Sequence, residues 1–175
     1  MHSHEDREFS PLSLAVVTVS DTRTLETDRS GNVLELRMQA AGHRVTARRI
    51  VRDDQNAIVA ELEALLSRGD VDVIVTTGGT GVTGRDVTPE ALERVCEKLI
   101  PGFGELFRWL SYATIGTSTI QSRATAGTAR GKYIFALPGS TSACEEAWDK
   151  ILVFQLDVRH RPCNFAELIP RLTEK

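Results

Sequence analysis

The stretch Thr76-Thr77-Gly78-Gly79-Thr80-Gly81-Val82-Thr83-Gly84-Arg85-Asp86 follows an apolar, β-branched run at residues 71–75 and leads into Thr88-Pro89-Glu90. The run reads as a strand and the segment after Pro89 as a helix, so a strand-to-helix joint passes through the glycines. Four glycines within seven residues free the backbone from Cβ sterics, and successive N–H groups can converge on an anion. Thr88 as N-cap, with Pro89 at the first helical position, opens a helix whose positive end also favours negative charge. Asp86 does not fit anion binding alone, because it repels a phosphate unless a cation lies between them. A phosphate site that uses a divalent metal accommodates both features. A glycine-rich turn with no ligand is the plainer alternative.

Two phosphate motifs come close and fail. Gly79-x-Gly81-x-x-Gly84 has the form of the dinucleotide fingerprint, but Pro89 starts the helix late and helix rather than strand follows it. Gly79 and Gly84 also stand at P-loop spacing, yet Arg85-Asp86 replaces the Lys-Ser/Thr pair that holds phosphate and Mg²⁺. A dinucleotide-binding oxidoreductase therefore rests on an incomplete pattern.

At 175 residues the chain suits one domain. Its 21 basic and 24 acidic residues are interspersed, for a net charge of −3, so no nucleic-acid or membrane partner is expected. No apolar run reaches the ~20 residues that span a bilayer. The polar start is no signal peptide, which makes residues 1–11 a flexible tail and the cytoplasm the expected location. The three cysteines show no CxxC spacing and indicate neither a disulfide framework nor a zinc site.

Residues 12–19 are nearly continuous apolar, as in a strand covered on both faces. Val33, Leu34, Arg37, Met38 and Ala41 then follow helical spacing up to Gly42. Residues 45–51 read as a second strand, and Ile58, Leu62, Leu65 and Leu66 as one face of a second helix. After the glycine loop, Leu92, Val95, Cys96 and Leu99 share a helical face, and Phe103, Leu106, Phe107 and Leu110 form another stripe. Residues 114–128 read as loop with a short strand near 120–124. Residues 133–137 form a further strand, stopped by Pro138-Gly139-Ser140 and followed by a helix through Cys144, Ala147, Trp148, Ile151, Leu152 and Gln155. Strands alternating with helices predict an α/β domain with a mostly parallel sheet. Ligands of such sheets bind beyond the carboxyl ends of the strands, where Ser20-Asp21-Thr22-Arg23, the glycine loop and Pro138-Gly139-Ser140-Thr141 are candidates to meet.

The segments TTGGTGVTGRDVTPEAL (residues 76–92), PGFGELFRWLS (101–111), Gln121-Ser122-Arg123 and Leu137-Pro138-Gly139-Ser140, in this order, resemble the MoaB/MogA family of molybdenum-cofactor biosynthesis. The same domain occurs in gephyrin and in the plant cofactor-insertion protein. The ending, with Asp157-x-Arg159-x-Arg161-Pro162-Cys163-Asn164-Phe165, looks most like the MoaB branch. The resemblance covers residues 12–165 and leaves 166–175 as a C-terminal tail. It implies a three-layer sandwich around the sheet, a homo-oligomer (trimer or hexamer), and binding of molybdopterin, a pterin with a dithiolene and a terminal phosphate. Active relatives transfer AMP from Mg-ATP to that phosphate and release pyrophosphate.

By the same resemblance, Thr77, Gly78, Gly79, Thr80 and Gly81 belong to the phosphate and nucleotide loop. Asp53 and Asp86 match acidic positions important for catalysis, where they would hold or orient Mg²⁺. Ser122 and Arg123 fall in the pterin segment, and Pro138, Gly139 and Ser140 near the nucleotide. Joining two polyanions needs a metal and cationic or amide donors, which Arg85, Arg108 or Arg123 could supply. Plainer readings stand beside these. Asp86 could be a first-turn helix carboxylate, and Asp53 or Asp54 could cap the next helix. Asp21 and Asp28 read equally as metal or substrate neighbours or as solvated loop residues, and Arg108 could merely cover its helix face. Cys96 and Cys144 read as core, Trp109 and Trp148 as packing or subunit-interface residues, and His43 and His160 lack ligand partners. A non-catalytic, oligomeric molybdopterin-binding scaffold of the same pathway is the alternative to an adenylyltransferase.

Overall fold

The computed structural model describes residues 7–175. In chain order the elements are β1 (Ser13–Val19), α1 (Arg29–Ala40), β2 (Arg44–Val51), α2 (Gln55–Leu66), β3 (Val73–Thr77), α3 (Thr88–Val95) and β4 (Lys98–Leu99). They continue with α4 (Pro101–Ile115), a 3₁₀ segment (Gly116–Gln121), β5 (Thr125–Ala129), β6 (Lys132–Leu137) and α5 (Thr141–Ala147). A π-helical stretch (Trp148–Leu152) carries α5 into a last turn, Val153–Gln155. The strands form one sheet in the order β2-β1-β3-β6-β5-β4. The first four are parallel, while β5 and β4 extend the sheet antiparallel. Arginine-rich β2 and the two-residue β4 are its edges.

Alternation along β1 explains why its sequence is apolar throughout. Leu14 and Val16 face one layer with Leu34, Met38, Phe103, Phe107 and Trp148. Ala15, Val17 and Val19 face the other with Ile58, Leu62, Leu65 and Leu92. The domain is thus a helix–sheet–helix sandwich, with α1, α4 and α5 on one side and α2 and α3 on the other. Helix starts are set by side chains where the sequence offers them. Asp28 accepts from the Gly31 N–H at 3.0 Å, Asp54 from that of Ala57 at 2.8 Å, and Ser140 from that of Ala143 at 3.2 Å.

Several sequence expectations are corrected. Thr88 is not the N-cap of α3; Val87 is, with no side-chain cap, and Thr88 is the first helical residue. The helical face through Leu99 breaks at Cys96, where the chain turns extended into β4 and leaves Leu99 exposed. Residues 114–124 hold no strand: α4 continues to Ile115, the 3₁₀ segment follows, and Ile120 is 80% exposed. The strand comes later, as β5, where pairing with β6 rather than local pattern decides it. Leu106 is exposed, because small Gly104 and Ser111 join Phe103 and Phe107 on the buried side of α4. Past residue 165, a 3₁₀ segment (Ala166–Arg171) packs Ile169 and Leu172 on the core, beside Phe165 against Tyr133 at 4.8 Å. Of the expected N-terminal tail, residues 1–6 lie outside the described residues; Phe9 packs on His43 at 5.2 Å between ring centres.

Candidate functional site

The order of the sheet places β2 and β3 on opposite sides of β1, so the connections diverge there and leave a crevice at the strands' carboxyl ends. The glycine loop fills its middle. Gly78 and Gly79 take φ values of +104° and +68°, a region costly for residues with a Cβ. The Gly78 N–H donates to Leu137 O at 3.0 Å, and the Thr77 hydroxyl to Pro138 O at 2.9 Å. A Cβ on Gly139 would lie 3.2 Å from Gly78 Cα, so the two turns meet backbone to backbone. Thr88 pins the loop from the helix side: its N–H donates to Gly79 O at 3.0 Å and its hydroxyl to Gly78 O at 2.8 Å. That role replaces the capping role expected of it.

Two cavities lie on either side of the Gly78–Gly139 contact. The larger, of about 580 Å³, is lined by Gly79, Thr80, Gly81, Asp86 and Ser122 from the loops and by Ser111, Glu146 and Lys150 from the helices. Phe107 and Ile115 give it an apolar wall, and Pro138, Gly139 and Ser140 flank it. The smaller, of about 300 Å³, is lined by Thr18, Ser20, Arg23, Asp28, Arg29 and Thr77, among others. Gly139 and Ser140 line both.

Two carboxylates bracket the glycine turn. A Cβ on Gly79 would lie 3.3 Å from Asp53 Oδ1, and one on Gly81 would lie 2.7 Å from Asp86 Oδ2. Asp86 accepts from the Thr83 hydroxyl at 2.6 Å and the Thr83 N–H at 2.9 Å. These donors lower its pKa despite partial burial, with help from Arg123. Asp53 is shifted the other way: burial raises its pKa and the nearby Asp86 adds repulsion. Helix capping is done by Asp54, so the Asp53 side chain is not spent there.

The three arginines expected to supply cationic donors, Arg85, Arg108 and Arg123, are each engaged. Arg123 donates from Nε to Gly81 O at 2.7 Å and from Nη2 to Asp86 O at 2.7 Å, and it pairs with Glu90. It braces the glycine loop from outside. Arg108 donates to Ser122 O at 3.3 Å and Ala124 O at 3.0 Å, fixing the segment that carries Ser122. Arg85 pairs with Asp21, whose carboxylate also accepts from the Asp53 N–H at 3.2 Å. Asp28 is no solvated loop residue: it is 1% exposed and bonded to Thr18, Gly31 and Arg48. Sequence reasoning did not single out Ser111, Glu146 or Lys150 as site residues. The i,i+4 spacing of Glu146 and Lys150 was the available signal, but it marks an ordinary surface pair equally well.

Residues 15–158 match the family described as "Probable molybdopterin binding domain". The chain is 49% identical to molybdenum cofactor biosynthesis protein B of Escherichia coli (strain K12), covering 93% of this chain and 96% of that protein. Identity to the protein of the same name from Bacillus cereus is 45%, over 87% and 91% of the two chains. A solved molybdenum cofactor biosynthesis protein B superposes with a TM-score of 0.87 at 40% identity, covering 97% of this chain and all (100%) of that one. The Pyrococcus furiosus tungsten cofactor synthesizing protein MoaB gives a TM-score of 0.71 at 36% identity, covering 81% and 91%. The matched domain, the extent of these identities and the shared fold place this chain in the molybdenum cofactor biosynthesis protein B family.

Proposed function

We propose that the protein binds molybdopterin in the larger cavity and transfers AMP from Mg-ATP to its terminal phosphate in the cytoplasm. The observation that carries this is the pair of carboxylates, Asp53 and Asp86, set on either side of the Gly79 to Gly81 turn. Glycine-loop amides suit phosphate oxygens, and two carboxylates beside them suit Mg²⁺, which completes its shell with substrate phosphates and water. Among the described residues no cluster of three or more His, Cys, Asp or Glu is placed to hold a metal ion. That donor set fits a metal arriving with the nucleotide better than a resident ion.

In this reading the pterin phosphate, already ionised at neutral pH, needs no general base. One of its oxygens attacks the α-phosphorus of ATP, a new P–O–P link forms, and pyrophosphate leaves with the electrons of the broken bond. The residues' task is to hold both polyanions in line, with Asp53 and Asp86 placing the metal of the substrate and the loop amides taking developing charge. Exposed Trp109, Tyr112, Ile115 and Ile120 suit contact between copies in a homo-oligomer, which sedimentation would check.

One observation favours the non-catalytic scaffold instead: Arg85, Arg108 and Arg123 are each engaged within the protein. Purified protein is therefore incubated with molybdopterin, ATP and Mg²⁺, following adenylylated pterin and pyrophosphate, with Asp86→Asn in parallel. Product from the wild type alone is the expected result. Tight pterin binding with no product would replace the transferase by the scaffold.

A further inference from the structure

Glu146 needs a reason to be where it is. It sits on α5, lines the larger cavity, and is reached across the interface from α4. The Ser111 hydroxyl donates to its Oε2 at 2.6 Å, Lys150 Nζ to Oε1 at 2.7 Å, and the Thr114 hydroxyl to Oε1 at a long 3.4 Å. Burial opposes its charge, but Lys150, Ser111 and Thr114 outweigh that and lower its pKa. The cavity thus carries an ionised carboxylate with a cation beside it. A tie between α4 and α5 would be served as well by a neutral amide, without desolvating a charge.

We propose that Glu146 and Lys150 recognise the pyrimidine edge of the pterin, Glu146 accepting from its 2-amino and ring N–H groups and Lys150 donating to its 4-oxo oxygen. This rests on the reading of the larger cavity as the molybdopterin site. The edge presents donor, donor and acceptor in a row; Glu146 and Lys150 present acceptor, acceptor and donor. A carboxylate has about four lone-pair positions. Displacing the long Thr114 contact leaves one on each oxygen for a bidentate, charge-assisted pair. Phe107 and Ile115 offer apolar surface for the flat ring. The phosphate then lies toward Gly79, Gly81 and Asp86, which also line this cavity. Adenine lacks this edge, so the base of ATP is not expected against Glu146. Guanine shares it and serves as a competing probe.

The test is fluorescence titration of the full chain with 6-hydroxymethylpterin and with lumazine, which has a carbonyl in place of the 2-amino group. Wild type is expected to prefer the pterin. Glu146→Gln should weaken pterin binding about tenfold or more, the worth of a charged hydrogen bond, and bring the two affinities together. Lys150→Met should weaken both ligands alike, since both carry the 4-oxo group. Ser111→Ala loosens the helix tie but leaves the carboxylate, so the preference should survive. An unchanged pterin-to-lumazine ratio in folded Glu146→Gln would overturn the assignment, as would adenosine competing with the pterin as well as guanosine does. If that variant still makes adenylylated molybdopterin with unaltered pterin affinity, the proposed function stands and only this inference falls. No binding of 6-hydroxymethylpterin by wild type would remove this inference alone; failure of molybdopterin itself to bind would remove the proposed function as well.

Discussion

Asp28 and Asp53 both lie past the carboxyl end of a sheet strand, and the fold treats them in opposite ways. Asp28 is sealed in, with its oxygens taken by the Thr18 hydroxyl at 2.6 Å, the Gly31 N–H at 3.0 Å and Arg48 at 2.7 Å. Arg48 in turn reaches Glu35 at 2.6 Å. Asp53 has burial and a neighbouring carboxylate in place of such donors, and both raise its pKa. A buried carboxylate with donors on both of its oxygens belongs to the architecture. One held in an unfavourable field stabilises nothing by itself, and its value lies in what it will bind.

The comparison breaks most visibly at Asp28. Asp28→Ala removes the α1 cap and the buried partner of Arg48, leaving that guanidinium only Glu35 and Asn32, and urea unfolding should show a loss of roughly 3–5 kcal/mol. Adding Arg48→Met should recover part of it; full loss in the double variant would mean that the helix cap, not the ion pair, carries the energy. Asp53→Asn should do the reverse, lowering the proposed adenylyl transfer by about a hundredfold or more while leaving the thermal midpoint equal or higher. A clear fall in stability would place Asp53 with Asp28. Gly79→Ala is expected to damage both properties, because the positive φ alone costs ~1–2 kcal/mol and the new Cβ meets Thr88. The smallest effect belongs to His43, a buried base whose Nδ1 accepts from the Leu12 N–H at 3.1 Å. Burial lowers its pKa, although Asp157 pulls the other way. The unfolded chain therefore binds the extra proton first, so stability is full above about pH 6.5 and declines as pH falls below it. His43→Asn keeps an acceptor and should flatten that part of the pH profile in urea titrations.

How much of this was legible beforehand depends on how local each cause is. Continuous apolar runs announced β1, β3 and β6, because both of their faces are covered and no tertiary detail is needed to say so. The glycine loop was equally plain, since its positive φ values require glycine wherever they occur. β5 was missed because Thr125-Ala126-Gly127-Thr128-Ala129 has little strand character of its own and is held by its pairing with β6. The bracing contacts of the arginines were out of reach for a related reason. Sequence shows that Arg108 and Arg123 carry charge; only the fold shows that they donate to carbonyls of the segments they brace. Asp53 and Asp54 could not be told apart as caps until the Ala57 N–H was seen to choose Asp54. Glu146 was invisible because its meaning depends on Ser111, 35 positions away in sequence.

The two edges of the sheet carry a consequence for life at high concentration. An unpaired strand invites another chain to continue it, and this sheet gives that invitation little room. At one end β2 bears Arg44 and Arg49; at the other β4 is two residues long, and one of them is Lys98. Charge and shortness are the usual guards against strand-by-strand addition. A protein built this way meets its own copies, however crowded, with backbone edges that resist strand addition.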